Sequence, residues 1–259
     1  MTWTIQPRSK FGRLDAIISG EGQQVVLIHG VGLRAEAWSK QIINLSKSYK
    51  TIAIDIPGHG ESSILTDNFK LKEYTDIISE SILTPSIIIG HSFGSMIALD
   101  LAFNYPEKVK SVISLNAIYK RNQISKDAVK KRFNNLSKLS NSNPSDTLDR
   151  WFGKDHADMH KNCHQWLSST DPRGYYNAYK VFSNKDGPSD TNLKKLQCPA
   201  LFITGSKEPN STPKMSENMS SLAPNGEVKI CWIYGEFFFI CIFRSTNASC
   251  LSRKIFIKL

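Results

Sequence analysis

Gly90-His-Ser-Phe-Gly94 sets a serine between two glycines, directly after the β-branched run Ser86-Ile-Ile-Ile89 and at the head of a helix-forming stretch. A serine held on such a strand-to-helix turn projects its hydroxyl above the sheet edge, and the glycines are needed because neighbouring backbones crowd the turn. The chemistry this serves is nucleophilic attack of Ser92 on a carbonyl carbon. A tight strand–helix turn that happens to carry a serine fits the same five residues. An acyl-transfer site also needs two backbone N–H donors fixed in advance for the developing oxyanion. Phe93, just after the serine, would supply one. The other would come from His29-Gly-Val-Gly32, with Val31 the candidate, although alone that segment reads as an ordinary glycine-rich loop. Asp55-Ile-Pro-Gly-His-Gly-Glu-Ser62 reads as a rigid turn whose side chains have no chemical role.

The other residues able to do chemistry are histidines and cysteines. His156-Ala-Asp-Met-His-Lys-Asn-Cys-His164 spaces three imidazoles at i, i+4 and i+8, with Asp158 and Cys163 nearby. Neighbouring pairs on one helix face could bind zinc or nickel. Solvated helix side chains are the preferred reading, so no metal is assigned. His91 adjoins Ser92, but adjacent residues on such a turn point differently, which makes it a poor base for that serine. The five cysteines are odd in number and contain no Cys-x-x-Cys pair, which argues against a disulfide framework or a structural zinc site.

The elements that must position Ser92 follow from periodicity. Gln24–Ile28, Thr51–Asp55, Ser86–Gly90 and Val112–Leu115 are continuous apolar runs, as expected of strands covered on both faces. Ala35–Leu45, Leu71–Leu83 and Phe93–Phe103 place apolar residues at helical spacing between them. This alternation predicts an α/β fold with a mostly parallel, doubly wound sheet. From about Tyr119 to Asp190 the texture changes: Asn, Ser and Lys dominate, Glu is absent and aromatics recur at Phe133, Trp151, Phe152, Trp166, Tyr175, Tyr176, Tyr179 and Phe182. That segment predicts a helical cap insertion with an aromatic underside. Strands resume with Pro199–Gly205 and Glu227–Tyr234. The expected organisation is a first core part over 1–118, a helical cap over 119–190, a second core part over 191–230 and an atypical hydrophobic tail over 231–259.

Composition excludes several classes. The chain has 259 residues, 40% hydrophobic and 22% charged, within the range of folded globular proteins. Its net charge of +10 raises the question of nucleic acid, but the basic residues are scattered and no recognised binding motif interleaves them. The longest nearly apolar stretch, Ile230–Phe243, contains Glu236 and falls short of the roughly 20 residues of a membrane helix. No apolar segment follows the N-terminal charge as a secretory signal requires. The expectation is a cytoplasmic protein with no nucleic-acid partner and no membrane span; its oligomeric state is not legible.

The three glycine motifs, in this order and spacing, resemble the α/β-hydrolase fold family, and within it the esterase and enol-lactonase-like group with a helical cap. The resemblance runs from about Gln24 through Lys229. Asp171–Phe182 resembles the closing helix of that family's cap, and Cys198–Pro209 resembles the strand and loop that present the triad acid. The resemblance implies Ser92 as nucleophile, Glu208 as acid (where Asp is commoner), a small-molecule acyl substrate and no cofactor. A serine at this position argues against the branches that use a carboxylate nucleophile. The family also implies a histidine after the last strand, yet none of the six histidines lies beyond residue 164. Three of the five cysteines and five of the 13 phenylalanines fall in the last 29 residues, a shift that reads as a frameshifted or replaced segment beginning near Ile230. The implied function is a serine hydrolase cleaving an ester, lactone or related acyl substrate, with activity of this chain in doubt. The alternative is a non-catalytic binding protein or degenerate gene product on the same scaffold.

Overall fold

The continuous apolar runs become neighbouring strands because only a sheet covered on both sides can bury both faces of each. The computed structural model describes residues 7–64, 69–138, 140, 143–152 and 157–231. Eight strands among them form one sheet: β1 (Arg8–Phe11), β2 (Leu14–Ser19), β3 (Gln24–Ile28), β4 (Lys50–Ile54), β5 (Ser86–His91), β6 (Val109–Leu115), β7 (Ala200–Gly205) and β8 (Gly226–Cys231). Their order is β1-β2-β4-β3-β5-β6-β7-β8. From β4 through β8 every pairing is parallel, while the β1–β2 hairpin and its join to β4 are antiparallel. The α/β class and the mostly parallel sheet hold. The N-terminal hairpin had no counterpart in the apolar runs, because Ser9 and Lys10 of β1 are exposed edge residues.

The helices between strands are α1 (Ser39–Leu45), α2 (Leu71–Ser81), α3 (Phe93–Asn104), α4 (Gln123–Asn134), α5 (Ser145–Phe152), α6 (Ala157–Ser169), α7 (Pro172–Asn184), α8 (Asp190–Lys194) and α9 (Pro213–Leu222). Alternate strand residues point to opposite faces. Val26, Ile28, Ile52, Ile54 and Ile88 pack with Ile78 of α2 and Met96 and Ile97 of α3. Val25, Leu27, Ala53, Ile87 and Ile89 pack with Trp38 and with Ile42 and Leu45 of α1. Helix α3 is buried along most of its length and shows no single apolar stripe, because it lies between the sheet and α2, with Asp100 and Asn104 among its less buried positions; the Phe93 and Tyr74 rings meet edge-on at 5.3 Å. Helices α4 to α7 all fall between β6 and β7. Asn122 Oδ1 caps α4 by accepting from Ser125 N–H (2.8 Å), and Asp171 caps α7 ahead of Pro172. Of the 231–259 tail, residues 232–259 lie outside the described residues, as does the end of the strand expected over Glu227–Tyr234.

Candidate active site

Ser92 is the single residue between β5 and α3, with φ 54° and ψ −115°. An L residue rarely adopts this conformation, and it persists only where surrounding structure fixes it. Here Ser92 N–H donates to Leu115 C=O (2.9 Å), and the buried Ser95 hydroxyl lies 2.7 Å from both Gly90 C=O and Leu115 C=O, with its one proton to donate between them. The flanking glycines are sterically required: a Cβ on Gly90 would stand 2.1 Å from Gly94 C=O, and one on Gly94 would stand 2.2 Å from Ile28 C=O. Phe93 is the first residue of α3, where backbone N–H groups have no intrahelical acceptor. Its side chain is buried in the core.

The 29–32 loop passes directly over the serine. A Cβ on Gly30 would stand 3.3 Å from Ser92 Cβ. His29 fixes this loop: its Nε2 accepts from Ile56 N–H (3.1 Å), which leaves Nδ1 to donate to Gly30 C=O (2.7 Å). Burial, reinforced by the neighbouring His59, holds the His29 pKa well below 6.5, so the ring is neutral. Asp55 fixes the following turn. Its carboxylate is fully enclosed and accepts from Ala35 N–H (2.7 Å), Glu61 N–H (2.8 Å) and the Arg8 guanidinium (2.7 Å). These contacts match the reading of residues 55–62 as a rigid turn.

A cavity of about 300 Å³ opens above Ser92, and Val31, His91 and Glu208 also line it. Three of the four sequence-derived site residues therefore share one space; Phe93, the fourth, directly follows Ser92 in the chain but is not among the residues lining the cavity. Glu208 is on the loop after β7; its Oε1 accepts from Asn210 N–H (3.0 Å), and its Oε2 lies 3.5 Å from Asn116 Nδ2. Asn116, directly after β6 and at φ 52°, had no signal in the sequence, since an asparagine after a strand is ordinary turn chemistry. Arg121 and Arg132 on the cavity wall were likewise invisible among 33 basic residues. The aromatics divide. Trp151, Tyr175, Tyr179 and Phe182 line the cavity, whereas Phe133 packs at a tilt against Tyr176 (5.0 Å between ring centres) and Trp166 packs on the Leu148–Leu167 cluster.

Base candidates for the serine are few. His91 lines the cavity, but burial depresses its pKa to about 3, far from a value suited to accepting a proton near neutrality. On α6, the His160 and His164 rings lie 6.5 Å apart, with His160 Nε2 4.0 Å from Asp149 Oδ1. No group of three or more His, Cys, Asp or Glu poised to hold a metal occurs among the described residues; His156 lies outside them.

A sequence profile described as "alpha/beta hydrolase fold" matches residues 24–240. The chain belongs to that family. The matched span runs eleven residues past the Lys229 boundary drawn from the motifs. The (E)-2-((N-methylformamido)methylene)succinate hydrolase of Acinetobacter baylyi is 37% identical over 213 residues, covering 80% of this chain and 81% of that protein. Among solved structures, the esterase from Thermogutta terrifontis superposes with a TM-score of 0.80 at 18% identity, covering 97% of this chain and 98% of the other. The enol-lactonase from Burkholderia xenovorans LB400 gives 0.78 at 17% identity, covering 96% and 98%. This alpha/beta hydrolase thus stands among hydrolases, with esterase- and lactonase-like structural neighbours. No helix among its described residues is long and apolar enough to cross a membrane.

Proposed function

We propose that this alpha/beta hydrolase is a serine hydrolase that cleaves a carboxylic ester, lactone or related acyl substrate through an acyl-enzyme on Ser92. The observation that carries this reading is the conformation of Ser92, strained at φ 54° and standing at the floor of a mostly apolar cavity. The hydroxyl attacks the acyl carbonyl carbon, and the Val31 and Phe93 amides receive the charge that develops on oxygen. The leaving group departs with a proton, and water then releases the acid. Glu208 is the acid partner, and residues 119–190 act as a cap that encloses the substrate. The Acinetobacter baylyi relative is named for a substituted succinate with an N-methylformamido group.

The absence of a histidine beyond residue 164 supports a second reading, a non-catalytic binder on this scaffold. Loss of such a base costs on the order of 10⁶-fold in turnover, because the neutral serine hydroxyl is a weak nucleophile. Hydrolysis of a p-nitrophenyl ester separates the readings. A slow rate above background that Ser92→Ala eliminates supports the hydrolase; a rate unchanged by Ser92→Ala overturns it.

A further inference from the structure

Two guanidinium groups face the cavity opposite its catalytic floor. Arg132 is on α4, and its Nε donates to the Tyr179 hydroxyl of α7 (3.0 Å). That contact leaves both terminal nitrogens, and Arg132 forms no ion pair among the described residues. Arg121, just before α4, has a side chain only 3% exposed. It is locked in place: NH1 donates to Lys185 C=O (2.8 Å), and the guanidinium stacks over the Phe182 ring at 4.4 Å. Its acidic neighbour, Asp186 at 3.6 Å, is shared with Lys126 at 3.1 Å. Two arginines, one lysine and one aspartate leave this wall with excess positive charge. The two arginines lie close enough to repel, and burial together with that repulsion lowers the Arg121 pKa.

Holding like charges beside a largely apolar cavity is unfavourable unless an anion joins them. A planar guanidinium with two free terminal nitrogens matches a carboxylate, which it can grip with two parallel hydrogen bonds. We propose that Arg132, supported by the fixed charge of Arg121, forms a carboxylate-binding subsite, so that the substrate is an acyl compound bearing a free carboxylate remote from the scissile bond. The Tyr179 hydroxyl orients Arg132. Trp151 and Tyr175 of the same cavity wall cover the apolar linker between the two ends of the substrate. This deepens the proposed acyl hydrolysis at Ser92 and rests on it only for the word substrate; the anion subsite stands or falls by binding.

The test uses the full chain carrying Ser92→Ala, so that nothing turns over, and compares monomethyl succinate with its uncharged analogue dimethyl succinate by calorimetry. The monoester should bind at least roughly tenfold more tightly at low ionic strength, and the preference should shrink with added salt. Adding Arg132→Gln should abolish the preference, while Arg132→Lys, which keeps the charge without the fork, should retain part of it. Equal affinity for the two esters, failure of the monoester to bind at about 10 mM, or a preference that survives Arg132→Gln overturns the proposal. Should the Gln variant fail to fold, the Lys variant and the comparison of the two esters still decide it. Failure of the Ser92 reading shows separately, as p-nitrophenyl ester hydrolysis by the parent chain that Ser92→Ala leaves unchanged, whatever the anion preference.

Discussion

At the scale of single residues, the proposed nucleophile Ser92 carries a backbone strain that stability measurements can read. A serine at φ 54° and ψ −115° costs on the order of 1–3 kcal/mol, which the Leu115 and Gly90 hydrogen bonds around it offset. Glycine adopts this conformation freely, at some cost in unfolded-state entropy. Ser92→Gly should therefore raise stability by about 1 kcal/mol while eliminating ester turnover. Urea denaturation of the two chains measures it, and a Gly variant less stable than the parent contradicts the strain assigned here. The turn at Ser92 was legible in sequence because it demands glycines at fixed offsets. Asn116, Arg121 and Arg132 were not, because their significance comes from tertiary placement: each is ordinary by type, and only the folded chain sets them on one cavity.

At the scale of elements, strands β3 to β7 were legible because their residues are apolar on both faces. The β1–β2 hairpin escaped notice because its edge residues are polar and its anchor, the Arg8–Asp55 ion pair, joins positions 47 residues apart. The inserted helices were legible as helical but not in how they are held. One tight contact with the core is Gly174 of α7 against Gly58, where a Cβ on Gly174 would stand 2.0 Å from Gly58 C=O. Both sides of that contact are backbone, so no side chain can yield. Gly174→Ala should destabilise the chain by about 1–3 kcal/mol through displacement of α7. Because Tyr175 and Tyr179 move with α7, weaker binding of ligands in the cavity should accompany the loss. A variant with unchanged stability and binding contradicts this coupling.

At the scale of the whole molecule, the buried histidines set the acid limit. Burial holds His59 at a pKa of about 4 and His91 at about 3, against 6.5 when exposed, and His29 is lowered well below that value too. All three are neutral when folded, and each takes up a proton on unfolding once the pH drops below 6.5. Their contribution is fully present above pH 6.5 and is lost as pH falls toward about 4 for His59 and about 3 for His91, at about 1.4 kcal/mol per unit and histidine. Denaturation midpoints should fall steeply between about pH 6.5 and 5, above the range where most carboxylates titrate, and His59→Asn should flatten that slope. A midpoint constant across this window contradicts the assignment. The central claim, that this scaffold presents Ser92 as a nucleophile and lacks only a base, is tested most directly by fluorophosphonate labelling read by intact mass. The comparison is between the present chain and one whose residues 231–259 are replaced by a segment carrying a histidine after the last strand. The present chain should label slowly or not at all, the replaced chain rapidly and at Ser92, and the replaced chain with Ser92→Ala not at all. Brisk labelling of the present chain, or a folded replaced chain that stays unlabelled, would contradict the account.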